Sequence, residues 1–255
     1  MRLEAKNVSF RYGRSSPWIL RDFDFSVETG ERVGLVAPSG FGKSTLALLL
    51  AGYLKPEAGS VLLDGTGLPR RGVCPIQLVY QHPEKAINPR WRLRRVLEES
   101  GRLNGETLAA FGIEPAWLSR FPRELSGGEL QRFCVARALM SGADFLICDE
   151  ISTMLDVITQ AQIWNTVLAE AGRREMGMVI ITHNLGVVAR YAEKVQVVYA
   201  GRLVEGGTAE DIFQRTCHPY TKGLIRAVPR LDMPQDQELV GIEGSPPDLR
   251  KLSPH

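Results

Sequence analysis

The sequence predicts an α/β fold, and two observations carry that expectation. Strand-like, largely apolar segments recur at Gln77-Leu78-Val79-Tyr80, Phe145-Leu146-Ile147-Cys148, Met178-Val179-Ile180-Ile181 and Val195-Gln196-Val197-Val198, as strands covered by helices on both faces do. A glycine-rich loop from Ala37 to Thr45 lies between a short apolar strand and a leucine-rich segment, the strand–turn–helix setting that a phosphate-binding loop requires. With 255 residues, 44% apolar and 24% charged, the chain can bury the core of one large domain with a modest extension.

Taken in order, apolar residues alternate at Leu3, Ala5 and Val8 and again at Phe23, Phe25 and Val27, which predicts two strands of a partly exposed sheet. Arg32-Val33-Gly34-Leu35-Val36 is the strand feeding the loop, and Thr45 to Leu54 reads as a buried helix stopped by Pro56. Gly59 to Gly65 reads as a strand closed by a turn. Between Gln81 and Leu125 the sequence becomes charged and helix-favouring, broken by Pro83, Pro89, Pro115 and Pro122; an inserted helical lobe is expected at about residues 82–135. From Asp156 to Arg174 a helix is expected, with Val157, Ala161, Trp164 and Leu168 facing the core. Beyond about Thr216 the chain is rich in proline and charge, with Pro246, Pro247 and Pro254 near its end, so a loosely packed or partly disordered tail is expected. The expected division is a main domain at 1–216 and a short extension at 217–255.

Composition narrows the functional classes. The longest apolar stretches, Leu46 to Leu54 and Phe145 to Cys148, fall well short of the roughly 18 to 20 residues that span a bilayer. Met1 to Phe10 lacks the continuous apolar segment of a signal peptide, so a cytosolic protein is expected. Cys74, Cys134, Cys148 and Cys217 are scattered without a C-x-x-C pair, which favours free buried thiols over a metal site or disulfide framework. A formal charge of +2 does not argue for nucleic acid. The cluster Arg90, Arg92, Arg94 and Arg95 reads as a solvated helix face.

The chemistry concentrates at three places. In Ser39-Gly40-Phe41-Gly42-Lys43-Ser44-Thr45, inward backbone N–H groups and a helix N-terminus can hold a polyphosphate with few cationic side chains. Lys43 is placed to contact the β and γ phosphates and the Ser44 hydroxyl to ligate Mg²⁺. The pattern G-x-x-x-x-G-K-[ST] asks for glycine where Ala37 stands. A left-handed backbone there would cost Ala roughly 1 to 2 kcal/mol, but Pro38 biases the preceding residue toward extended geometry with negative φ, where Ala is at ease. Asp149 and Glu150 end an apolar strand, at the sheet edge where ligands of open α/β folds bind. Asp149 suits Mg²⁺ held through water, and Glu150 suits a general base orienting water. His183, at the end of another strand, fits a γ-phosphate sensor.

Between the loop and the acidic pair stands Leu125-Ser126-Gly127-Gly128-Glu129-Leu130-Gln131-Arg132. With that run in place, residues from about Leu3 to Phe213 closely resemble the ATP-binding subunits of ABC transporters. The resemblance implies a P-loop NTPase core of the RecA type with an antiparallel β subdomain and the inserted helical lobe. It implies that Tyr12 stacks on adenine, that Gln81 ligates Mg²⁺ and links the γ-phosphate site to the lobe, and that Asp156 closes the loop touching a partner subunit. It implies further that Ser126, Gly127 and Gly128 bind the γ-phosphate held by that partner in a head-to-tail dimer. Ile151-Ser152-Thr153-Met154-Leu155-Asp156 departs from the family's usual Pro-Thr-Ser-Ala-Leu-Asp, so a changed local backbone course is expected there.

Gln81-His82-Pro83 with Ala86-Ile87-Asn88-Pro89-Arg90, and His218-Pro219-Tyr220-Thr221-Lys222-Gly223-Leu224, are similar to stretches of the peptide and nickel importers. This branch implies an ATPase on the cytoplasmic face of the membrane, paired with a second and different ATPase chain and two integral membrane permease subunits, and served indirectly by an extracytoplasmic binding protein. The short tail without clustered cysteines tilts the cargo toward nickel or a metal chelate. Two other readings fit the motifs: an ATPase of a soluble assembly such as the carbon–phosphorus lyase complex, and a slow nucleotide-binding structural subunit suggested by Ala37 and the altered loop before Asp156.

Overall fold

Local sequence chemistry sets most element boundaries in the computed structural model, which describes residues 1–38, 40–69, 71–101, 103, 105–153 and 155–227. In chain order the strands and helices are β1 (Arg2–Phe10), β2 (Leu20–Glu28), β3 (Arg32–Val36), α1 (Lys43–Leu50), β4 (Ala58–Leu63), β5 (Thr66–Gly67), β6 (Ile76–Val79), α2 (Leu93–Glu98), α3 (Gly105–Ala110), α4 (Gly127–Met140), β7 (Phe145–Asp149), α5 (Val157–Arg173), β8 (Gly177–Thr182), α6 (Leu185–Tyr191), β9 (Lys194–Tyr199), β10 (Arg202–Thr208), α7 (Ala209–Arg215) and α8 (Pro219–Arg226). The described residues divide into two units, one formed by Leu3–Ser26, Arg32–Gly67 and the residues from Ile180 onward, the other by Met1–Arg2, Val27–Glu31 and Leu68–Val179.

The first unit contains an antiparallel sheet in the order β2-β1-β4-β5. Leu3 pairs with Leu63 and Ala5 with Val61 across β1 and β4. Asp64 and Gly65, both with positive φ (49° and 76°), turn the chain between β4 and β5. The same unit holds β10-β9-β3, with β9 parallel to β3 and antiparallel to β10. Helix α1 stops at Leu50, ahead of the expected Leu54. Gly52 takes φ 78°, its N–H donates to the Leu49 carbonyl, and the Tyr53 N–H reaches the Leu48 carbonyl; this left-handed glycine cap ends the helix before Pro56 can.

Residues 217–227 correct the expectation of a loose tail. His218 caps α8 by accepting the Tyr220 N–H on Nδ1 (3.2 Å), and Pro219 occupies the first turn, where a missing N–H costs nothing. Tyr220, Leu224 and Ile225 pack against a core of Val36, Leu185, Val188, Val195, Val197 and Ile212. Glu205 of β10 secures the approach to α8, accepting the Thr216 hydroxyl and the Cys217 N–H, each at 2.6 Å. Pro246, Pro247 and Pro254 lie outside the described residues.

In the second unit β6 and β7 pair in parallel, Ile76 opposite Phe145 and Val79 opposite Cys148, and every residue of β7 is buried. The helical lobe expected from the sequence consists here of short pieces: α2, α3 and the 3₁₀ turns Pro83–Lys85, Pro115–Ser119 and Pro122–Glu124 precede the longer α4. Each 3₁₀ turn starts on a proline, which fixes φ but removes the donor a longer helix needs. Side chains of α4 tie the lobe together: Gln131 donates to the Tyr80 carbonyl (3.1 Å) and Arg137 to that of Ala86 (2.9 Å). Of the four clustered arginines, Arg92 and Arg95 stack over Phe121 and Trp91 at 4.8 and 4.2 Å.

Helix α5 has the expected period but a different phase. Ile163, Trp164, Val167 and Ala171 are buried, whereas Val157 is 81% exposed. Cysteine burial is mixed as well. Cys134 and Cys148 are buried free thiols, both pushed up by burial and Cys134 to about 12, while Cys74 is half-buried and Cys217 exposed.

Burial opposes the charge on Glu205, but donors from Thr216, the Cys217 N–H and the following turn outweigh it and draw its pKa from the ordinary 4.5 to about 2. A depressed carboxylate stabilises the fold above its unfolded pKa and loses that contribution as pH falls toward the folded value. Glu205→Gln is therefore expected to lower the melting temperature at pH 7 and to flatten the stability loss between about pH 4.5 and 2. Thermal melts of both proteins across that window check it; parallel profiles would refute the clamp.

Candidate nucleotide site

The loop after β3 is shaped by two left-handed glycines, Gly40 (φ 84°) and Gly42 (φ 87°). A Cβ at Gly42 would lie 3.0 Å from Ile19 Cγ2 and 3.2 Å from the Ile19 carbonyl, so tight packing and the positive φ both disfavour a side chain. Gly42 caps α1, whose first turn carries no acidic residue to offset the positive end of the helix dipole. Lys43 is buried and donates from Nζ to the Ala37 (2.7 Å) and Pro38 (3.0 Å) carbonyls, folding the loop over its own ammonium. Ala37 does not adopt a positive φ, in keeping with the restriction imposed by Pro38. Ser44 is exposed and Thr45 buried; the Thr45 and Tyr12 hydroxyls lie 3.2 Å apart. Tyr12 is 62% exposed and meets Phe10 edge-on at 5.1 Å, leaving aromatic surface open for stacking. Phe41 is buried, its ring parallel to Tyr199 at 5.5 Å, so its contribution to a phosphate is its backbone. Ser39 lies outside the described residues. In the same unit, exposed His183 sits between β8 and α6, the latter capped by Asn184.

The second unit carries the acidic group. Asp149 and Glu150 are buried at the end of β7, and Gln81 Nε2 donates to Glu150 Oε2 at 3.0 Å. Glu150 has φ 50°, a left-handed conformation costing about 1 to 3 kcal/mol for a residue with a Cβ. A proline at 151 would press its predecessor toward extended geometry; Ile151 imposes no such restriction. The backbone beyond is bolted in place: the Glu150 carbonyl accepts from the Thr153 N–H (3.3 Å) and hydroxyl (3.1 Å). Trp164 Nε1 donates to Ser152 Oγ (3.2 Å), and Gln160 Nε2 to the Ser152 (2.6 Å) and Leu155 (3.1 Å) carbonyls.

Ser126 heads α4 in a reciprocal cap. Its Oγ accepts the Glu129 N–H at 3.3 Å, and Glu129 Oε2 accepts the Ser126 N–H at 2.7 Å. The Ser126 backbone, then its hydroxyl, hold the Glu129 carboxyl below its usual range. Gly127 and Gly128 open the helix, with Leu155 packed so near Gly128 that a Cβ there would stand 2.8 Å from its Cδ2. Asp156 caps α5, accepting the Thr159 N–H at 2.9 Å, and the Thr159 contact lowers its pKa.

Residues 20–153, more than half of the chain, match the ABC transporter family. The chain belongs to the ABC transporter family. Residues 204–254 of this cassette match the C-terminal region of oligopeptide/dipeptide transporters. It is 40% identical over 97% of its length to the oligopeptide transport ATP-binding protein OppD of Mycobacterium bovis, covering 45% of that protein, so the chain spans about half the length of the first of the curated relatives it matches. It is 36% identical to the probable D,D-dipeptide transport ATP-binding protein DdpF of Escherichia coli (86% of this chain, 73% of the relative). Against the nickel import system ATP-binding protein NikE of Staphylococcus aureus the identity is 34% (88% and 98%). Among solved structures, an ATP-binding subunit of an ABC transporter superposes with a TM-score of 0.71 at 25% identity, covering 84% of this chain and 93% of the other. The fold is that of an ABC ATPase cassette. No helix of the described residues is long and apolar enough to cross a membrane.

Within the cassette, Tyr12 meets Thr45 and Lys43 closes its own loop in one unit, while Gln81 meets Glu150 and Leu155 meets Gly128 in the other. The oxygen donors proposed for Mg²⁺, the Ser44 hydroxyl, the Gln81 carbonyl and the Asp149 carboxylate, suit a hard cation that also takes phosphate and water ligands. With its amide N–H engaged by Glu150, Gln81 retains its carbonyl oxygen for a metal. The sequence reading missed Glu129, Ser152, Gln160 and the indole N–H of Trp164. Only the first had a signal, since Ser126-x-x-Glu129 has the spacing of a capping box.

Ser126→Ala is expected to cost about 1 kcal/mol of stability at pH 7. In a Ser126→Ala/Glu129→Ala cycle the two losses should be less than additive, and their coupling should vanish as acid protonates Glu129. Denaturant titrations of the four proteins measure this; strict additivity would show that the cap carries no shared energy.

Proposed function

We propose that the chain is the ATP-hydrolysing subunit of an importer for peptides, nickel or a metal chelate, acting on the cytoplasmic face of the membrane beside two permease subunits. The observation that carries the reading is the coexistence of an ABC cassette with the C-terminal region of oligopeptide/dipeptide transporters at 204–254. The relatives divide between peptide and nickel transport, and the cargo class is kept equally broad. The ATPase domain occupies 1–216 with its lobe at about 82–135, followed by the importer-type extension at 217–255.

In this reading ATP lies along the loop with adenine on Tyr12 and phosphates on the N–H groups of residues 39–45. Lys43 leaves the Ala37 and Pro38 carbonyls for the β and γ phosphates, exchanging neutral acceptors for charged ones. Ser44, Gln81 and Asp149 would hold Mg²⁺, which would supply positive charge against the phosphates. Glu150 polarises the attacking water, with its carboxylate aimed by Gln81. His183 donates toward the γ-phosphate. The Ser126 hydroxyl accepts the Glu129 N–H and would turn its own proton from the Glu129 carboxylate toward an incoming phosphate. It would serve, with the Gly127 and Gly128 N–H groups and Asp156, an ATP bound to a second ATPase chain in a head-to-tail dimer, a heterodimer in this branch.

Glu150→Gln is expected to lower Mg²⁺-dependent ATP turnover by about 10²- to 10⁴-fold while leaving ATP affinity within a few-fold. Steady-state hydrolysis by the assembled ATPase pair, with nucleotide titration alongside, measures both. Undiminished turnover would overturn the catalytic assignment.

A further inference from the structure

Three aromatic rings connect the phosphate loop to the C-terminal helix. Phe41, flanked by left-handed Gly40 and Gly42, is 6% exposed, and its ring lies parallel to Tyr199 at 5.5 Å and 10°. Tyr199 ends β9 and packs in turn on Tyr220 of α8, with centroids 4.2 Å apart. Between the two left-handed glycines, the Phe41 ring on Tyr199 and the Phe41 N–H donated to the Pro38 carbonyl (3.4 Å) together hold the middle residue of the loop. The far end of the stack is also held. Glu205 clamps Thr216 and Cys217, His218 caps α8, and Leu224 and Ile225 sit in the core. Next to Tyr199, the β9–β10 turn approaches Ile19 so closely that a Cβ at Gly201 would stand 2.4 Å from its carbonyl. Ile19 is the residue on which Gly42 rests. Burial pushes the Tyr220 phenol up to about 12, so its ring stays neutral at physiological pH.

We propose that Tyr220 is a positioning residue for nucleotide binding, setting the phosphate loop through the stack Tyr220–Tyr199–Phe41. The proposal rests on the assignment of ATP to that loop. The C-terminal motif thereby acquires a physical role, because stacking of the Tyr220 ring and ATP binding become linked, and by thermodynamic reciprocity each strengthens the other. Aromatic stacking contributes through ring geometry, so a ring at 220 suffices and its hydroxyl is dispensable.

The test is ATP affinity of the full chain by calorimetry. Tyr220→Ala is expected to weaken ATP binding about 3- to 10-fold, Tyr220→Phe to restore it, and Leu224→Ala, which loosens the same helix without touching the stack, to bind as the wild type does. Wild-type affinity in Tyr220→Ala overturns the proposal, as does equal weakening by Leu224→Ala at a matched loss of melting temperature. Lys43→Ala separates the two layers. Normal ATP binding by that variant removes the site assignment and the proposal together. Weakened binding beside an unaffected Tyr220→Ala removes the proposal alone. Should Tyr220→Ala not fold, hydrogen exchange of the wild type decides: ATP should slow the amides of residues 220–226, and unchanged exchange there overturns the linkage.

Discussion

The backbone at Gly42 is the constraint on which the candidate site depends. This residue turns left-handed to bring β3 into α1, and it does so tightly packed against Ile19 and Leu20, where a Cβ would stand 3.0 to 3.2 Å from them. Because that turn closes, the N-terminus of α1 begins at the loop, Lys43 lies beneath the loop, and Phe41 is sent inward rather than toward solvent. A flexible loop would have to be ordered by each incoming nucleotide, at a cost of roughly 1 to 2 kcal/mol per residue fixed. Packing on Ile19, Leu20 and Tyr199 orders it in advance.

A comparable constraint operates at Glu150, but it is solved with hydrogen bonds. The left-handed backbone there costs about 1 to 3 kcal/mol, while each intramolecular hydrogen bond returns about 0.5 to 1.5 kcal/mol. Contacts of Thr153, Trp164, Gln160 and Gln81 with the segment from Glu150 to Leu155 are together of the size needed to hold it. Helix α5 is thereby more than a core helix: its indole and amide side chains set the path between the acidic pair and Asp156.

What the sequence revealed follows from how local each feature is. The strands were legible because apolar runs such as Phe145 to Cys148 are buried over their whole length, and the loop because its glycines, lysine and hydroxyls are consecutive. The end of α1 was misplaced because Gly52 acts ahead of the more conspicuous Pro56. The buried stripe of α5 kept its period but not its phase, which tertiary packing of Ile163 and Val167 decides. Helix α8 is not legible from its own residues, because its stability comes from Glu205 and from a core supplied largely by β3, α6 and β9, which are distant in sequence. The ring stack left no trace at all, since residues 41, 199 and 220 meet only in the folded chain.

The central claim is that the loop shaped by Gly42 holds the nucleotide. Calorimetric titration of ATP into a folded Gly42→Ala protein tests it most directly. A Cβ at φ 87° against the Ile19 carbonyl should weaken binding by about 5- to 30-fold, the equivalent of the 1 to 2 kcal/mol that a left-handed backbone costs a non-glycine residue. Affinity equal to that of the wild type, with the secondary structure intact by circular dichroism, would contradict the account.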